Sequence, residues 1–566
     1  MTRVSPEAER RRRILTRAVP LAVLAAIAFI AGTAIGGDPA ELDAAKRFAD
    51  AWQEGNHEAM HAALTPAAAS EYPLDEFTEL YEEADTMATA TAIETGDAEE
   101  SGGAIDVPVD VTTSAFGEVS ESVSLPVSDG AIDWQPHLVF PGLDDGESLD
   151  RRTRTAKRAA ILAVDGTPLA EGSSTERSSP LGAAAIDVAG DIGVPKKAER
   201  AEFFAAGYPP GTLVGTSGLE KAFDDQLAGT PGGQLLATGE GEERVLADTE
   251  PKRGEPVKTT IEPGLQETTV EALGGQYGGV AVLDATNGSV RAIAGLAFSS
   301  PQPPGSVFKI VTTTAALEAG AVSLDDSFDV VTEAVVEGRA ISNAGDSPCG
   351  GNFTQSFADS CNSVFAPLGA KVGGEKLLAT AEDFGFNSEP QLFAPEPTET
   401  LDVPPSTIPD PIGSELDVAV SAIGQGEVLT TPLQMATVAQ TIAAGGKRSP
   451  TPMVTEPELA PQGGATEVTS GEIASTVTEL MVANVNIGTG TAADISEAQV
   501  AGKTGTAELG PSGPEEGAPL NENAWFTAFA PADDPKLALA VMLVNASGSG
   551  GEVAAPIAAE ILSAAL

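Results

Sequence analysis

The sequence predicts a multidomain chain: an N-terminal membrane-spanning helix, a small α+β domain, an irregular middle section, and a large C-terminal α/β domain with one antiparallel sheet covered by helices. Three observations predict it. Ala18 to Gly36 is an uncharged run rich in Ala, Ile, Leu and Val. Helical and then alternating apolar patterns fill residues 38–148, after which regular period fades from 149 to 256. From 257 to 566 strand patterns stand at both ends, with helical patterns between them. At 566 residues and 42% hydrophobic, the chain is long enough for several domains with sizeable cores.

The first element is the apolar run. Its nineteen residues, 18–36, are long enough to span a bilayer as a helix. Arg3, Arg10 to Arg13 and Arg17 precede it against only Glu7 and Glu9, which favours a cytoplasmic N-terminus. A cleaved signal peptide is the rival, but its apolar core runs about 7–15 residues. No Cys follows that could carry a lipid. The expectation is a cytoplasmic tail 1–17, a single uncleaved anchor 18–36 and everything from Asp38 outside the cytoplasm. The protein would thus sit in the cell membrane with its large domain extracytoplasmic.

The formal net charge of −52 excludes nucleic acid as a partner, because little here could neutralise phosphates. A solvated acidic surface is the plain reading of that charge.

Within 38–148, Asp43 to Leu64 carries Phe48, Trp52, Met60 and Leu64 at helical spacing, and Leu74 to Met87 carries Phe77, Leu80 and Tyr81. Ala104 to Thr112 and Val119 to Val127 alternate as strands and are closed by Ile132-Asp133-Trp134. His57 and His61 lie one helical turn apart; surface helix histidines are a plainer reading than a metal pair. Residues 149–256 are rich in Gly, Pro and charge, with Gly239 to Arg244 as an exposed hairpin tip. That section suits spacing two domains better than catalysis.

In 257–566, Val280 to Leu283 and Ser289 to Ile293 flank Thr286-Asn287-Gly288, a hairpin signal. Ala524 to Ala530 and Leu537 to Val544 read as two more strands, and Val553 to Leu566 as a C-terminal helix. Pro303-Pro304-Gly305 ends whatever precedes it, and Ile310 to Ala319 reads as a buried helix.

The chemistry begins at that helix. Ser306 and Lys309 are three apart, so on a helix start they share a face. A buried lysine loses proton affinity and can take the proton of a serine hydroxyl, which is otherwise a poor nucleophile. Of the thirteen lysines, Lys309 alone has a Ser three residues before it. Ser360-Cys361-Asn362 is the only S-x-N in the chain and Lys503-Thr504-Gly505 the only K-T-G, at separations of 54 and 143 residues. Each triplet alone is weak; the ordered set marks serine acyl-transferases of the penicillin-binding and β-lactamase type. The three histidines, His57, His61 and His137, all lie far upstream of Ser306, which excludes a Ser-His-Asp triad within the C-terminal half. Lys503 to Thr506 lies just before the Trp525 strand and fits an edge strand beside the nucleophile. There Gly505, without a side chain, would let a substrate backbone lie close.

The two cysteines, Cys349 and Cys361, leave too few ligands for zinc, and no metal or cofactor is expected. Outside the membrane the pair can oxidise, which would staple the loop carrying Ser360 and Asn362; two small buried thiols are the alternative.

With Gly305-Ser306-Val307-Phe308-Lys309 and Gly502-Lys503-Thr504-Gly505-Thr506, the chain resembles the class B penicillin-binding proteins, monofunctional transpeptidases of peptidoglycan synthesis. Thr260 to Gln266 is similar to the entry of their catalytic domain, and Gly424-Gln425-Gly426 with Thr431 to Ala436 to a helical block. Gly218-Leu219-Glu220 with Leu227-Ala228-Gly229 resembles their pedestal, or dimerisation domain. Residues 38–148, ending Trp134 and Phe140 to Leu143, resemble the NTF2-like domain of low-affinity, methicillin-resistance-type members. One departure stands out. The pedestal's R-G-x-I-x-D-R-x-G survives only as Arg158-Ala159-Ala160-Ile161 with Gly166, without its Asp and second Arg.

The resemblance implies that Ser306 attacks the D-Ala-D-Ala carbonyl of a stem peptide, with Lys309 as general base. Ser360 would relay a proton to the leaving D-Ala, and Asn362 would bind the substrate amide and Lys309. Lys503 would supply positive charge, and the Thr504 and Thr506 hydroxyls would bind the terminal carboxylate beside Gly505. The Ser306 and Thr506 amides would form the oxyanion hole. β-Lactam antibiotics, peptidoglycan stem peptides, the cytoplasmic membrane and a separate glycosyltransferase are the implied partners. A serine β-lactamase is the enzymatic alternative, though no E-x-x-L-N follows Ser360; the stretch Pro404 to Glu415, before the helical block, offers Asp410 and Glu415. A non-catalytic scaffold is the third reading; seventeen residues before the anchor cannot form a sensor's output domain.

Overall fold

The computed structural model describes residues 39–101, 104–394, 401, 403–511 and 520–566. The apolar run 18–36 lies outside the described residues, and among these no helix is long and apolar enough to cross a membrane. The chain divides into two compact units, one of residues up to 113, 117–150 and 236–246, the other of 114–116, 151–235 and 247–566.

In the first unit, helices Pro39–Gln53, His57–Ala62, Pro66–Glu71 and Leu74–Ala88 precede an antiparallel sheet. The central strand Ala104–Thr113 pairs with Ala90–Thr95, Glu99–Ser101 and Gly117–Leu125. Ile105, Val107, Val109 and Val111 are buried at every second position, as a sheet with one covered face requires. The helical pattern expected over 43–64 is broken in two. Gly55 turns with φ +64°, and the Asn56 side chain caps the second helix by accepting from the Ala59 amide. The apolar spacing continues across the break because Phe48, Trp52, Met60 and Leu64 are all buried. Phe77, Tyr81 and Trp134 form the aromatic centre, with ring centroids 4.8–6.1 Å apart. The Trp134 indole donates to the Tyr81 hydroxyl, which donates to the Leu138 carbonyl. His57 stacks on Tyr81 and His61 meets the Phe77 edge, so both are half-buried packing groups rather than surface residues.

In the second unit, strands Ile161–Leu162, Pro168–Ala170 and Val257–Lys258 form a small sheet. The section expected to be irregular is more ordered than its composition suggests. Strands Gly232–Gly239 and Glu242–Thr249 make a hairpin whose residues 236–246 belong to the first unit, with exposed Glu240 and Gly241 at the tip that the sequence predicts. Arg158 is fully buried and donates to Glu220, its guanidinium also reaching Asp224 at 2.8 Å. Arg177 shares Glu220 and donates to the Ala159 carbonyl. A second guanidinium therefore enters this cluster from position 177, although the motif around Arg158 lacks its own second Arg.

The main sheet runs in the order Val290–Gly295, Gly278–Asp284, Leu537–Leu543, Leu520–Ala530, Ala501–Pro511, antiparallel throughout. Its first hairpin turns where Asp284 accepts from the Thr286 and Asn287 amides and Gly288 adopts φ +77°. Both faces are covered, which is why Leu537–Leu543 is buried at every position instead of alternating. Val280, Val282, Leu539 and Val541 pack with helices Pro263–Leu273 and Ala555–Ala565. Ala281, Leu283, Ala540 and Met542 face the core that includes Lys309–Glu318, Pro432–Ala443 and Gly471–Ile487.

Candidate active site

The outer strand of that sheet, Ala501–Pro511, carries the K-T-G triplet and lies against the turn that carries Ser306. Gly305 has φ +55° and donates its amide to the Gly424 carbonyl; a Cβ there would come 2.4 Å from the Thr506 carbonyl oxygen. The fully buried Trp525 indole donates to the Pro303 carbonyl at 2.9 Å, fixing the other end of the turn. Ser306 thus stands half-buried in the 3-10 turn Gly305–Phe308 that feeds the helix Lys309–Glu318. Gly505 has a different reason from the one its sequence context suggested. A Cβ at Gly505 would lie 2.7 Å from the Pro304 carbonyl oxygen and 3.0 Å from the Val307 amide nitrogen. The space is taken by the chain's own nucleophile turn.

Lys309 is fully buried, one turn after Ser306. Its ammonium nitrogen reaches the Ser360 carbonyl at 2.8 Å, the Ser360 hydroxyl at 3.3 Å and the Asn362 side-chain oxygen at 2.7 Å. Burial first, and then the neighbouring Lys503, hold its pKa well below that of an ordinary lysine. Lys503, also fully buried, donates to the Ser360 hydroxyl at 2.8 Å and to the Thr504 carbonyl at 3.0 Å. Burial brings its pKa down to about 7. Phe365 and Phe357 stand 5.3 and 5.6 Å from the two amines.

Ser360 sits at φ +62°, in a left-handed turn between helix Phe353–Ala358 and helix Asn362–Val372. Such a conformation persists in a serine only when its surroundings fix it. They do so here. Cys349 and Cys361 form a disulfide with Cα atoms 5.4 Å apart, tying the turn to strand Cys349–Asn352. Asn362 donates to the Ser342 carbonyl, and Asn343 accepts from the Ser363 amide.

On the K-T-G side, the Thr506 hydroxyl accepts from the Gly550 amide at 3.3 Å. The Thr504 hydroxyl lies 2.5 Å from that of Thr489, which in turn accepts from Asn484. Asn343, Asn484, Thr489 and Trp525 support the site and were not singled out from sequence. Only Gly488-Thr489-Gly490 carries a local signal, a turn shortly before Lys503. The two candidate carboxylates, Asp410 and Glu415, are exposed and line a depression with Ala370, Gly374 and Leu378.

Ser306, Lys309, Ser360, Asn362, Lys503, Thr504, Gly505 and Thr506 therefore lie on connected elements around one turn and one strand. The arrangement offers a hydroxyl, two amines of lowered proton affinity and a hydroxyl between those amines. That is the equipment of general-base-assisted acyl transfer.

Comparison with known proteins agrees. The penicillin binding protein transpeptidase domain matches residues 278–563, the penicillin-binding protein dimerisation domain 172–259, and the NTF2-like N-terminal transpeptidase domain 40–147. Peptidoglycan D,D-transpeptidase PbpA of Mycolicibacterium smegmatis is 33% identical over 423 residues, which cover 64% of this chain and 81% of that protein. Its namesake in Mycobacterium tuberculosis is 37% identical over 287 residues, covering 48% of this chain and 56% of that protein. The crystal structure of PBPA from Mycobacterium tuberculosis aligns with a TM-score of 0.57 at 28% identity, over 72% of this chain and 99% of the other. The penicillin G acyl-enzyme complex of that protein aligns with the same TM-score at 27% identity, over 72% and 99%. This chain belongs to the penicillin-binding protein transpeptidases, in the class B group, with an NTF2-like domain and a dimerisation domain ahead of its transpeptidase domain.

Proposed function

We propose that this protein is a membrane-anchored peptidoglycan D,D-transpeptidase that cross-links stem peptides through a Ser306 acyl-enzyme and is acylated at the same serine by β-lactams. One observation carries the reading: buried Lys309 bonds to both Ser360 and Asn362, while Lys503 reaches Ser360 from the K-T-G strand. Lys309, its proton affinity lowered by burial, takes the Ser306 proton as Oγ attacks the penultimate D-Ala carbonyl. The developing oxyanion is held by the Ser306 and Thr506 amides; one such donor is worth roughly 10²–10³ in rate. Ser360 relays that proton to the departing D-Ala nitrogen, giving up its own and receiving the one Lys309 took. Lys503, Thr504 and Thr506 hold the terminal carboxylate, and Asn362 the substrate amide. The acceptor amine of a second stem peptide then takes the ester carbonyl, and Ser306 regains its proton.

The membrane placement rests on the arginine-flanked run 18–36, with tail 1–17 inside and 38–148, 149–256 and 257–566 as NTF2-like, pedestal and transpeptidase domains outside. Glycan polymerisation is assigned to a separate glycosyltransferase, in keeping with a monofunctional class B protein.

A fluorescent penicillin applied to membranes carrying the full chain tests the site. The wild type is expected to label and to sediment with membranes, and Ser306→Ala to lose all covalent label while remaining folded. Stoichiometric acylation of that variant would overturn the assignment. A mature N-terminus between Ala31 and Asp38 would overturn the anchor.

A further inference from the structure

Outside the three motifs, the most connected polar group beside the site is a chain of side chains ending on Thr504. Asn484 is fully buried near the end of helix Gly471–Ile487. Its amide nitrogen donates to the Ala358 carbonyl at 2.7 Å and to the Thr489 hydroxyl at 2.9 Å. The Thr489 backbone amide also donates to the Ala358 carbonyl, at 3.1 Å. Ala358 is two residues before Ser360, so this carbonyl ties the chain to the S-x-N turn as well. Thr489 itself is exposed, and its hydroxyl oxygen lies 2.5 Å from that of Thr504.

The directions of these bonds follow from the donors available. An amide nitrogen can only donate, so Thr489 Oγ1 accepts from Asn484. The Ala358 carbonyl already receives two short bonds and lies 3.4 Å from Thr489 Oγ1, a poor third. The Thr489 proton is therefore best used on Thr504 Oγ1. Thr504 then has an acceptor lone pair satisfied and its own O–H free. A free O–H suits a carboxylate; the opposite orientation would point lone pairs at the anion. Bonds in such a series also polarise one another, which strengthens the terminal donor.

We propose that Thr489 is a positioning residue for recognition of the donor's terminal carboxylate: held by Asn484, it orients the Thr504 hydroxyl so that its proton faces the anion. This rests on the reading that Thr504 binds that carboxylate. Thr489 acts through the Thr504 hydroxyl in this arrangement, so its effect is expected to fall on ligands bearing the anion.

The test compares benzylpenicillin with its methyl ester on the full-length protein, measuring second-order acylation of Ser306. Thr489→Val keeps the side-chain shape and removes the hydroxyl. It is expected to slow acylation by the acid roughly tenfold, the scale of one hydrogen bond to a charged group, and to leave the ester nearly unchanged. Thr489→Ser restores the acid rate. Equal losses on acid and ester, or no loss on the acid, would overturn the proposal. Thr489→Ala, judged in the same way, serves if the valine variant melts early. Thr504→Val separates the two levels of inference. If Thr504→Val distinguishes acid from ester and Thr489→Val does not, Thr489 alone falls. If Thr504→Val does not distinguish them, the carboxylate assignment falls and the proposal with it.

Discussion

Lys309 and Lys503, both fully buried, donate to the same Ser360 hydroxyl oxygen, at 3.3 and 2.8 Å. Two ammonium groups so placed repel, and neither is hydrated, so the pair holds fewer protons than two free lysines. Lys309 yields first, since Lys503 adds repulsion to its burial. The pair thus divides into Lys309, the readier of the two to act as a base, and Lys503, which holds its charge on the K-T-G strand up to about pH 7.

That division predicts a bell-shaped pH profile for acylation by a carboxylate-bearing β-lactam. The rate rises with pH as Lys309 loses its proton and becomes a base. It falls above about 7 as Lys503 loses the charge that attracts the carboxylate. Lys503→Arg keeps its charge to far higher pH, so its falling limb should vanish even if its overall rate is lower. Second-order labelling rates across pH check this, and a falling limb unmoved in Lys503→Arg would assign it to another group.

The disulfide gives a second prediction. Cys349 and Cys361 close a loop of twelve residues' separation that includes the strained Ser360 turn. In the chain-entropy account such a loop is worth about 3 kcal/mol. Protein isolated without reductant should show no free thiol, and the double Cys→Ser variant should unfold at lower denaturant and acylate more slowly. Two titratable thiols in that native protein would contradict the bridge.

Gly505→Ala gives a third. The added methyl would meet the Pro304 carbonyl at 2.7 Å, and backbone cannot give way as a flexible side chain can. The Ser306 turn must move relative to the strand that supplies the Thr506 amide. A misplacement on the order of 1 Å costs roughly 10²-fold in rate. Acylation should drop by that order with the fold retained, in both the acid and the ester of a β-lactam. A wild-type rate in Gly505→Ala would mean that the turn and strand are not in the contact described.

How much of this was legible in sequence depended on whether the controlling contact was local. Ser306 and Lys309 are three residues apart, and Ser360 and Asn362 two, so each motif places its own pair of groups on one local turn. Hairpin 278–295 and strands 520–543 were legible because turn chemistry and apolar runs are also local. Gly505 was placed on the correct strand, but its reason was misread, since the occupant of the space comes from two hundred residues away in the Pro304 turn. Asn484 and Thr489 were invisible because a buried Asn and an exposed Thr have no pattern until tertiary folding joins them to Thr504. The helix expected over 43–64 was too long because apolar spacing reports the face and not the break at Gly55. The section 149–256 was undervalued since its hairpin strands Gly232–Gly239 and Glu242–Thr249 do not alternate buried and exposed residues, and Arg177 reaches Glu220 from outside the motif around Arg158.

The last prediction concerns the fate of the acyl group, which separates a transpeptidase from a β-lactamase sharing the same nucleophile. Hydrolysis of the ester needs a water activated by a group poised over it. The carboxylates considered for that task, Asp410 and Glu415, are exposed and line a different depression. Penicilloyl-Ser306 should therefore last minutes or longer, while a D-Ala-ending donor with a stem-peptide amine should give an amide. The amine acceptor succeeds where water fails because its own binding holds the nitrogen in reach, converting a bimolecular attack into an intramolecular one. Mass spectrometry of the isolated acyl-enzyme over time, with assay of the amide product, decides the matter. Release of penicilloic acid in seconds would place the chain among hydrolases. A stable adduct that forms no amide with any donor and acceptor pair would instead favour a scaffold role.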